Sequence, residues 1–299
     1  MMEPNKPITI ATHNGSFHAD DLFACATLKL LHPDAQIIRT RDQAILSPAD
    51  IVLDIGGIYD PATNRFDHHQ KGGAGIRDNG IPYASFGLIW KHFGPQLCRD
   101  DMDVWQKIEN KIVIPQDAID NGVQIVQKTF GGLSPYFGDQ VFLSFSPTWK
   151  EGDEHIDDIF RAQVDRAAPV LAREIQVAKD DIEGERLILN APRENSIVMM
   201  DMAMPRYLYQ NLLCKIPDVN FILLKSEKNG WKVECIRKNE YTMESRIPFP
   251  NNWAGLGGEE LQKVSGIATI TGCHNGRFII WADTKEDAIK ATKIAIKSQ

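Results

Sequence analysis

Four short runs near the start of the chain constrain its fold most. "ITIAT" (8–12), "AQIIRT" (35–40) and "DIVLDIG" (50–56) are apolar segments of strand length, and "DDLFACATLKLL" (20–31) between the first two carries helical spacing. Strands separated by a helix of that length read as a crossover unit with parallel neighbours. The fold class is therefore α/β, with a mainly parallel sheet flanked by helices. "PYASFGLIWKHFG" (82–94) adds a helix with Pro82 near its first turn and Gly94 as its stop. Residues 99–122 continue as helix with a break at Pro115, and 154–180 form a long amphipathic helix. Strands follow at 196–200, 219–225, 231–237 and 277–282, with helices at 206–215 and 284–296. A chain of 299 residues is near the size at which cores divide. We place the division where "KDDIEGERLIL" passes from polar helix to a new strand, giving domains 1–185 and 186–299, the second a smaller α/β domain.

Composition removes several classes of function. A formal net charge of -7 argues against a broad nucleic-acid-binding surface but leaves room for a local basic cleft. Five cysteines without a CxxC pair suggest core thiols in a reducing compartment, and neither zinc finger nor disulfide framework. The apolar runs fall well short of the roughly 20 residues needed to cross a bilayer. Cytoplasm and no membrane partner are the expectation.

Histidine is scarce, with 8 in the chain, yet "RFDHHQ" (65–70) sets Asp67, His68 and His69 side by side. Three other groups belong with them. "THNGSFHADD" (12–21) places His13, His18 and Asp20 in the turn after the first strand, the usual ligand edge of an α/β sheet. "LDIGG" (53–57) ends the third strand with Asp54, and "PQDAIDNG" (115–122) offers Asp117 and Asp120 three apart, able to share a helix face. Imidazole mixed with carboxylate suits Mn, Fe, Co or Zn better than calcium. The ligands exceed what one ion needs, and a bridging aspartate would relieve their repulsion. Two divalent ions about 3.5–4 Å apart suit phosphoester or pyrophosphate hydrolysis by an activated water. The plainer reading treats Asp20 and Asp21 as first-turn acids favoured by a helix dipole, and the whole set as a metal-stabilised scaffold.

These motifs resemble the DHH phosphoesterase superfamily. More closely, "THNGSFHADD", "VLDIGGIYDPATNRFDHHQ", "DAIDNG", "RIPFPNNWAGL", "ELQKVSGI" and "CHNGRFI" resemble the MYG1 family over nearly the whole chain. The resemblance implies a DHH-like metal-binding catalytic domain followed by a substrate-binding domain similar to the DHH-associated domain, with a manganese-preferring dimetal centre. It implies His13, His18 and Asp20 as the first metal motif, Asp54 as the second, Asp67, His68 and His69 as the third, and Asp117 or Asp120 as the fourth. His18 stands where the wider superfamily has an aspartate. Asp67, or alternatively Asp54, is the bridging candidate. His69 would serve the substrate, and Asp21 would accept the second N–H of a coordinating imidazole.

Substrate contacts are expected from elsewhere. Arg246 lies in the proline- and glycine-rich "SRIPFPNNWAGLGGEEL" (245–261), and His274, Asn275 and Arg277 lie in a glycine turn before a strand. Family members often carry arginine where this chain has Gly257, and Arg39 and Arg41 in "RTRD" could compensate. With His69, Asp67 and His274 in catalytic roles, the expected activity is manganese-dependent, 3'-to-5' hydrolysis of RNA or short oligoribonucleotides. The alternative is a dimetal phosphohydrolase acting on pyrophosphate or a small nucleotide-derived phosphate. A homodimer is compatible with either.

Overall fold

Strand β1 (Thr9–Thr12) leads through helix α1 (Ala19–Leu31) to β2 (Gln36–Arg39), then through the single turn α2 (Gln43–Leu46) to β3 (Ile51–Leu53). Two short strands, β4 (Tyr59–Asp60) and β5 (Arg65–Phe66), complete a five-stranded sheet in the order β2-β1-β3-β5-β4. This computed structural model describes residues 6–126, 131–133, 135–226 and 230–298. All pairings in the sheet are parallel except β4 with β5. Ile51, Val52 and Leu53 are all buried, as an inner parallel strand covered on both faces requires.

Register fixes what happens at the sheet's edge. Ala11 pairs with Val52, and Leu53 with Phe66. The next residues along these strands bring His13, Asp54 and Asp67 to one edge. Asp54 leaves its strand at φ 57°, and Gly56 and Gly57 follow with φ of 100° and 68°. That reversal is the reason glycines are needed there.

Helix α3 (Ser85–Leu97) packs against α1, with Phe23 stacked on Phe86 at 5.6 Å between centroids. Gly94 is not its stop. A Cβ at Gly94 would lie 2.7 Å from Trp90 Cδ2 and 2.9 Å from Trp105 Nε1, so glycine serves close packing and the helix continues to Leu97. Helix α4 (Met102–Ile108) passes through a π-helical turn, Glu109–Val113, into α5 (Ile114–Asp120). Pro115 directly follows the π-helical turn, where the helical path widens but does not break. After the short α6 (Gln140–Leu143), α7 runs from Ile156 to Leu189. The expected strand at "RLIL" is the end of this helix.

The chain forms two compact units, Met1–Lys179 and Asp180–Gln299. The second holds β6 (Arg193–Glu194), β7 (Ile197–Met199), α8 (Arg206–Leu213), β8 (Phe221–Lys225), β9 (Trp231–Cys235), α9 (Gly258–Ser265), β10 (Ile270–Cys273), β11 (Ile279–Ala282) and α10 (Lys285–Lys297). Its sheet runs β10-β11-β9-β8-β7-β6, with only β7 and β8 parallel. Ala288, Ala291 and Ala295 of α10 join Val233 and Ile280 in one core layer. On the other layer, α8 packs Leu208, Tyr209 and Leu213 with Ile222 and Leu224. The loop expected over 245–261 is in part helix, since α9 begins at Gly258. Among the described residues no helix is long and apolar enough to cross a membrane.

One glycine couples fold to site. A Cβ at Gly87 in α3 would fall 1.9 Å from Asp117 Oδ2 and 2.5 Å from Arg77 Nη2. The Gly87 N–H donates to Asp117 Oδ1 at 3.0 Å, and Arg77 Nη2 pairs with Asp117 Oδ2 at 2.7 Å. Gly87→Ala should therefore displace this buried pair and lower the unfolding free energy by about 1–3 kcal/mol. Urea denaturation checks it, and an unchanged midpoint would refute the packing argument.

Candidate metal centre

The ligand-bearing residues come from four segments. His13 follows β1, Asp54 follows β3, and Asp67, His68 and His69 follow β5. His18, Asp20 and Asp21 open α1, and Asp120 closes α5. The His18 N–H donates to Asp21 Oδ1 at 2.8 Å, satisfying the helix entry. Asp20 caps a different helix: its oxygens accept from the N–H groups of Ser85 (3.0 Å) and Phe86 (2.7 Å) at the start of α3. Ser85 Oγ donates to Asp54 Oδ1 at 3.2 Å.

Asp54 is the hub. Its carboxylate lies 3.3 Å from His13 Nε2, 3.4 Å from His68 Nε2 and 3.6 Å from His69 Nδ1. His68 Nε2 is also 3.3 Å from Asp120 Oδ2. Three groupings have ligand atoms close enough to share an ion: His13 with His18 and Asp54, Asp54 with His68 and His69, and Asp20 with His68 and Asp120. Two buried atoms, His68 Nε2 and Asp21 Oδ2, have no hydrogen-bond partner. Separations of 3.3–3.6 Å exceed the roughly 2.7–2.9 Å of charge-assisted hydrogen bonds. They match instead the edges of a polyhedron whose corners lie about 2.0–2.2 Å from an ion. The donor set fits divalent cations.

Electrostatics point the same way. Burial opposes charge on His13, but the Asp21 and Asp54 carboxylates, each 3.3 Å from Nε2, overcome it and raise the imidazole from 6.5 to about 10. His68 is also raised: its burial is outweighed by Asp54, then by Asp120 and Asp67. Asp20 and Asp120 are pushed up by burial first and then by neighbouring carboxylates, Asp54 foremost. Asp21 is pushed up by burial against the pull of His13. Asp54 moves the other way, because His13 and His68 outweigh its burial and hold it well below the usual carboxylate range.

Several expected residues stand elsewhere. Asp67 is outside the three groupings; it accepts from Gly57 N–H at 2.5 Å through Oδ2, and from His69 N–H (3.1 Å) and Nδ1 (2.7 Å) through Oδ1. The carboxylate common to two groupings is Asp54. Asp117 faces Arg77 and Gly87, which leaves Asp120 beside the histidines. Arg39 is no phosphate contact: its buried guanidinium pairs with Asp157 at 2.8 Å, donates to Gly15 O and lies over Phe160. Arg41, by contrast, lines a cavity of about 360 Å³ with His13, His18, Asp54, Asp67 and His69.

In the C-terminal unit, Arg246 is also a structural residue. It donates to the carbonyls of Cys214, Ile216 and Val219, each at 2.5 Å, tying down the chain after α8. Arg277 Nη1 donates to Phe249 O at 3.0 Å. His274 and Asn275 are exposed on the turn between β10 and β11, where His274 Nδ1 accepts from Gly276 N–H at 2.9 Å. Sequence reasoning missed Ser85, Arg77 and Glu109; the last two pair at 2.6 Å across 32 residues. No local pattern could have joined them.

The His13 shift has a sign. A folded value near 10 against 6.5 means its contribution is fully present below pH 6.5 and lost as pH rises through about 10. The metal-free protein should lose a few kcal/mol over that window, read as a falling melting temperature. Loading manganese requires neutral imidazoles, so it should release protons and flatten the decline. A flat metal-free profile would contradict the assigned His13 environment.

Relatives cover the same span. A MYG1 exonuclease from Homo sapiens is 30% identical over 97% of this chain and 86% of its own length. A MYG1 protein from Chlamydia pneumoniae is 31% identical over 98% of each chain, and one from Dictyostelium discoideum is 29% identical over 94% of each. A solved pGpG-specific phosphodiesterase, PggH, aligns at 16% identity with a TM-score of 0.33, a likeness too slight to carry fold or function. The model described as "Uncharacterised protein family (UPF0160)" matches residues 9–296, and on that match the chain belongs to the MYG1 family.

Proposed function

We propose that this chain is a manganese-dependent phosphodiesterase of the DHH kind, using two ions to remove nucleotides from the 3' end of RNA or short oligoribonucleotides. The observation that carries the reading is Asp54, common to two ligand groupings beside an open cavity that Arg41 also lines. The exonuclease name of the human relative supports a polynucleotide end as substrate. His13, His18 and Asp54 would hold one ion and His68, Asp120 and Asp20 the other, with the Asp54 carboxylate, 3.4 Å from His68 Nε2, between them. Such a pair supplies charge neutralisation at a phosphate and a water that ionises near neutral pH.

The chain's own residues do the rest. Arg41 offers a guanidinium to a phosphate oxygen. His69, with a side chain 62% exposed, is oriented by Asp67 through Nδ1. Its Nε2 is left to pass a proton to the leaving oxygen. Pyrophosphate ranks second, because Arg41 is the sole arginine or lysine among the described residues lining the cavity, too few cations for so highly charged a substrate.

The test is cleavage of 3'- and 5'-labelled short RNA with manganese or with EDTA. Asp54→Ala should lose bound metal and about 10³-fold or more in turnover. His69→Ala should keep its metal and lose about 10²-fold in kcat. Arg41→Ala should raise KM and reduce the salt slope by about one. Arg246→Ala should lower the melting temperature and leave KM unchanged. Turnover that survives both EDTA and Asp54→Ala would end the proposal.

A further inference from the structure

Two further cavities neighbour the one at the candidate centre through shared lining residues. The second, about 240 Å³, shares His18 with the first and is walled by Asp20, Gln116, Ile119, Asp120 and Asp139. The third, about 280 Å³, shares Ile119 with the second, and Val123, Ile125, Val126, Pro135 and Phe137 make it apolar. Ile119, Ile125 and Val126 stay 39%, 42% and 36% exposed, an arrangement that gains from an apolar cover.

Asp139 supplies the independent sign of a ligand. It is 7% exposed, and its Oδ1 is enclosed without a hydrogen-bond partner. A buried acceptor left unmatched is unfavourable until a donor reaches it. Among the described residues walling the second cavity none is lysine or arginine, and Asp139 is the one carboxylate there outside the proposed ligand set, so it would repel a second phosphate. An uncharged group rich in O–H donors would be welcome. The order across the three cavities is thus metal ligands, the Asp139 acceptor, apolar slot. A nucleotide has the matching order of phosphate, sugar hydroxyls and base.

We infer that the second and third cavities seat the terminal nucleoside of the substrate, its sugar hydroxyls on Asp139 and its base against Ile119 and Phe137. The inference rests on the phosphodiesterase reading above and narrows it. The chain end that enters must carry free hydroxyls, and an end phosphate is refused.

Equilibrium dialysis of the full-length, manganese-loaded protein tests this with three probes: inorganic phosphate, adenosine 5'-monophosphate and adenosine 3',5'-bisphosphate. The monophosphate should bind about tenfold or more tighter than inorganic phosphate, as a packed base does elsewhere, and tighter than the bisphosphate. Phe137→Ala should bring the monophosphate to within about threefold of inorganic phosphate. Asp139→Asn should shrink the gap between monophosphate and bisphosphate by about fivefold, because the repelling charge is gone while an acceptor remains. Melting temperature and manganese content show that each variant is folded and loaded; Phe137→Leu replaces Phe137→Ala if the latter unfolds. Monophosphate binding no tighter than inorganic phosphate, or both preferences surviving the two substitutions, overturns the assignment. RNA cleavage by the same preparations separates the two readings. Cleavage without a monophosphate preference removes only the nucleoside seat. The preference without cleavage removes the exonuclease reading and keeps the seat.

Discussion

A carboxylate at position 54 meets three imidazoles at 3.3 to 3.6 Å. It does so from a backbone that has turned to φ 57° one residue after β3 ends. Left-handed backbone costs an ordinary residue roughly 1–2 kcal/mol, and aspartate tolerates it better than most. The surroundings hold it there: Asp54 N–H donates to Phe66 O at 3.1 Å, Ser85 Oγ donates to its side chain, and Gly56 and Gly57 complete the reversal. Continued as a strand, residue 54 would have had to choose one side of the sheet. Turned, it faces residues from β1 and β5 together. Sustained strain of this kind is what a functional site accumulates.

The acids around Asp54 are supported from behind. Ala84, at the entry to α3, has no side chain to satisfy that helix's first N–H groups, and Asp20 does it from α1. The positive end of α3 therefore lies against a buried carboxylate. Deeper still, Arg77 joins Asp117 and Glu109 at 2.7 and 2.6 Å, and its guanidinium lies 3.9 Å from the centre of the Tyr83 ring. This pairing consumes Asp117 and fixes α5 against α3, so that Asp120, one turn on, arrives beside His68 at 3.3 Å. The negative charge left over is that of Asp54, Asp120, Asp20 and Asp21, and it is the charge a divalent cation would balance.

Legibility followed chain locality. Each ligand motif lies where a strand or helix ends, and parallel register does the rest: Ala11 against Val52 and Leu53 against Phe66 bring separate motifs to one edge. A reader of apolar runs recovers that. Choices between like residues were not recoverable, because distant partners make them. Arg39 and Arg41 are two residues apart, yet Asp157, 118 residues on, claims the first and leaves the second at the cavity. Asp117 and Asp120 differ only in that Gly87 and Arg77 sit next to one of them. Arg246 looked like a phosphate donor, and nothing local showed three carbonyls waiting for it after α8. The same limit hid Gly94, whose neighbours Trp90 and Trp105 explain it.

Two exposed histidines show how little of a role is set by residue type alone. His69 Nδ1 lies 2.7 Å from Asp67 Oδ1, and a carboxylate there is an acceptor, so this nitrogen carries a proton. His274 Nδ1 accepts from the N–H of Gly276 at 2.9 Å, so in that ring the nitrogen carries none and the proton sits on Nε2. The first imidazole has its outer nitrogen free to take up a proton or to give one, with a carboxylate behind it to steady the charge. In the second, the inner nitrogen is taken up as an acceptor and the outer one is a donor. The two rings thus present different groups to their surroundings. The difference comes from two short backbone segments, the strand exit that places Asp67 and the glycine turn that places Gly276.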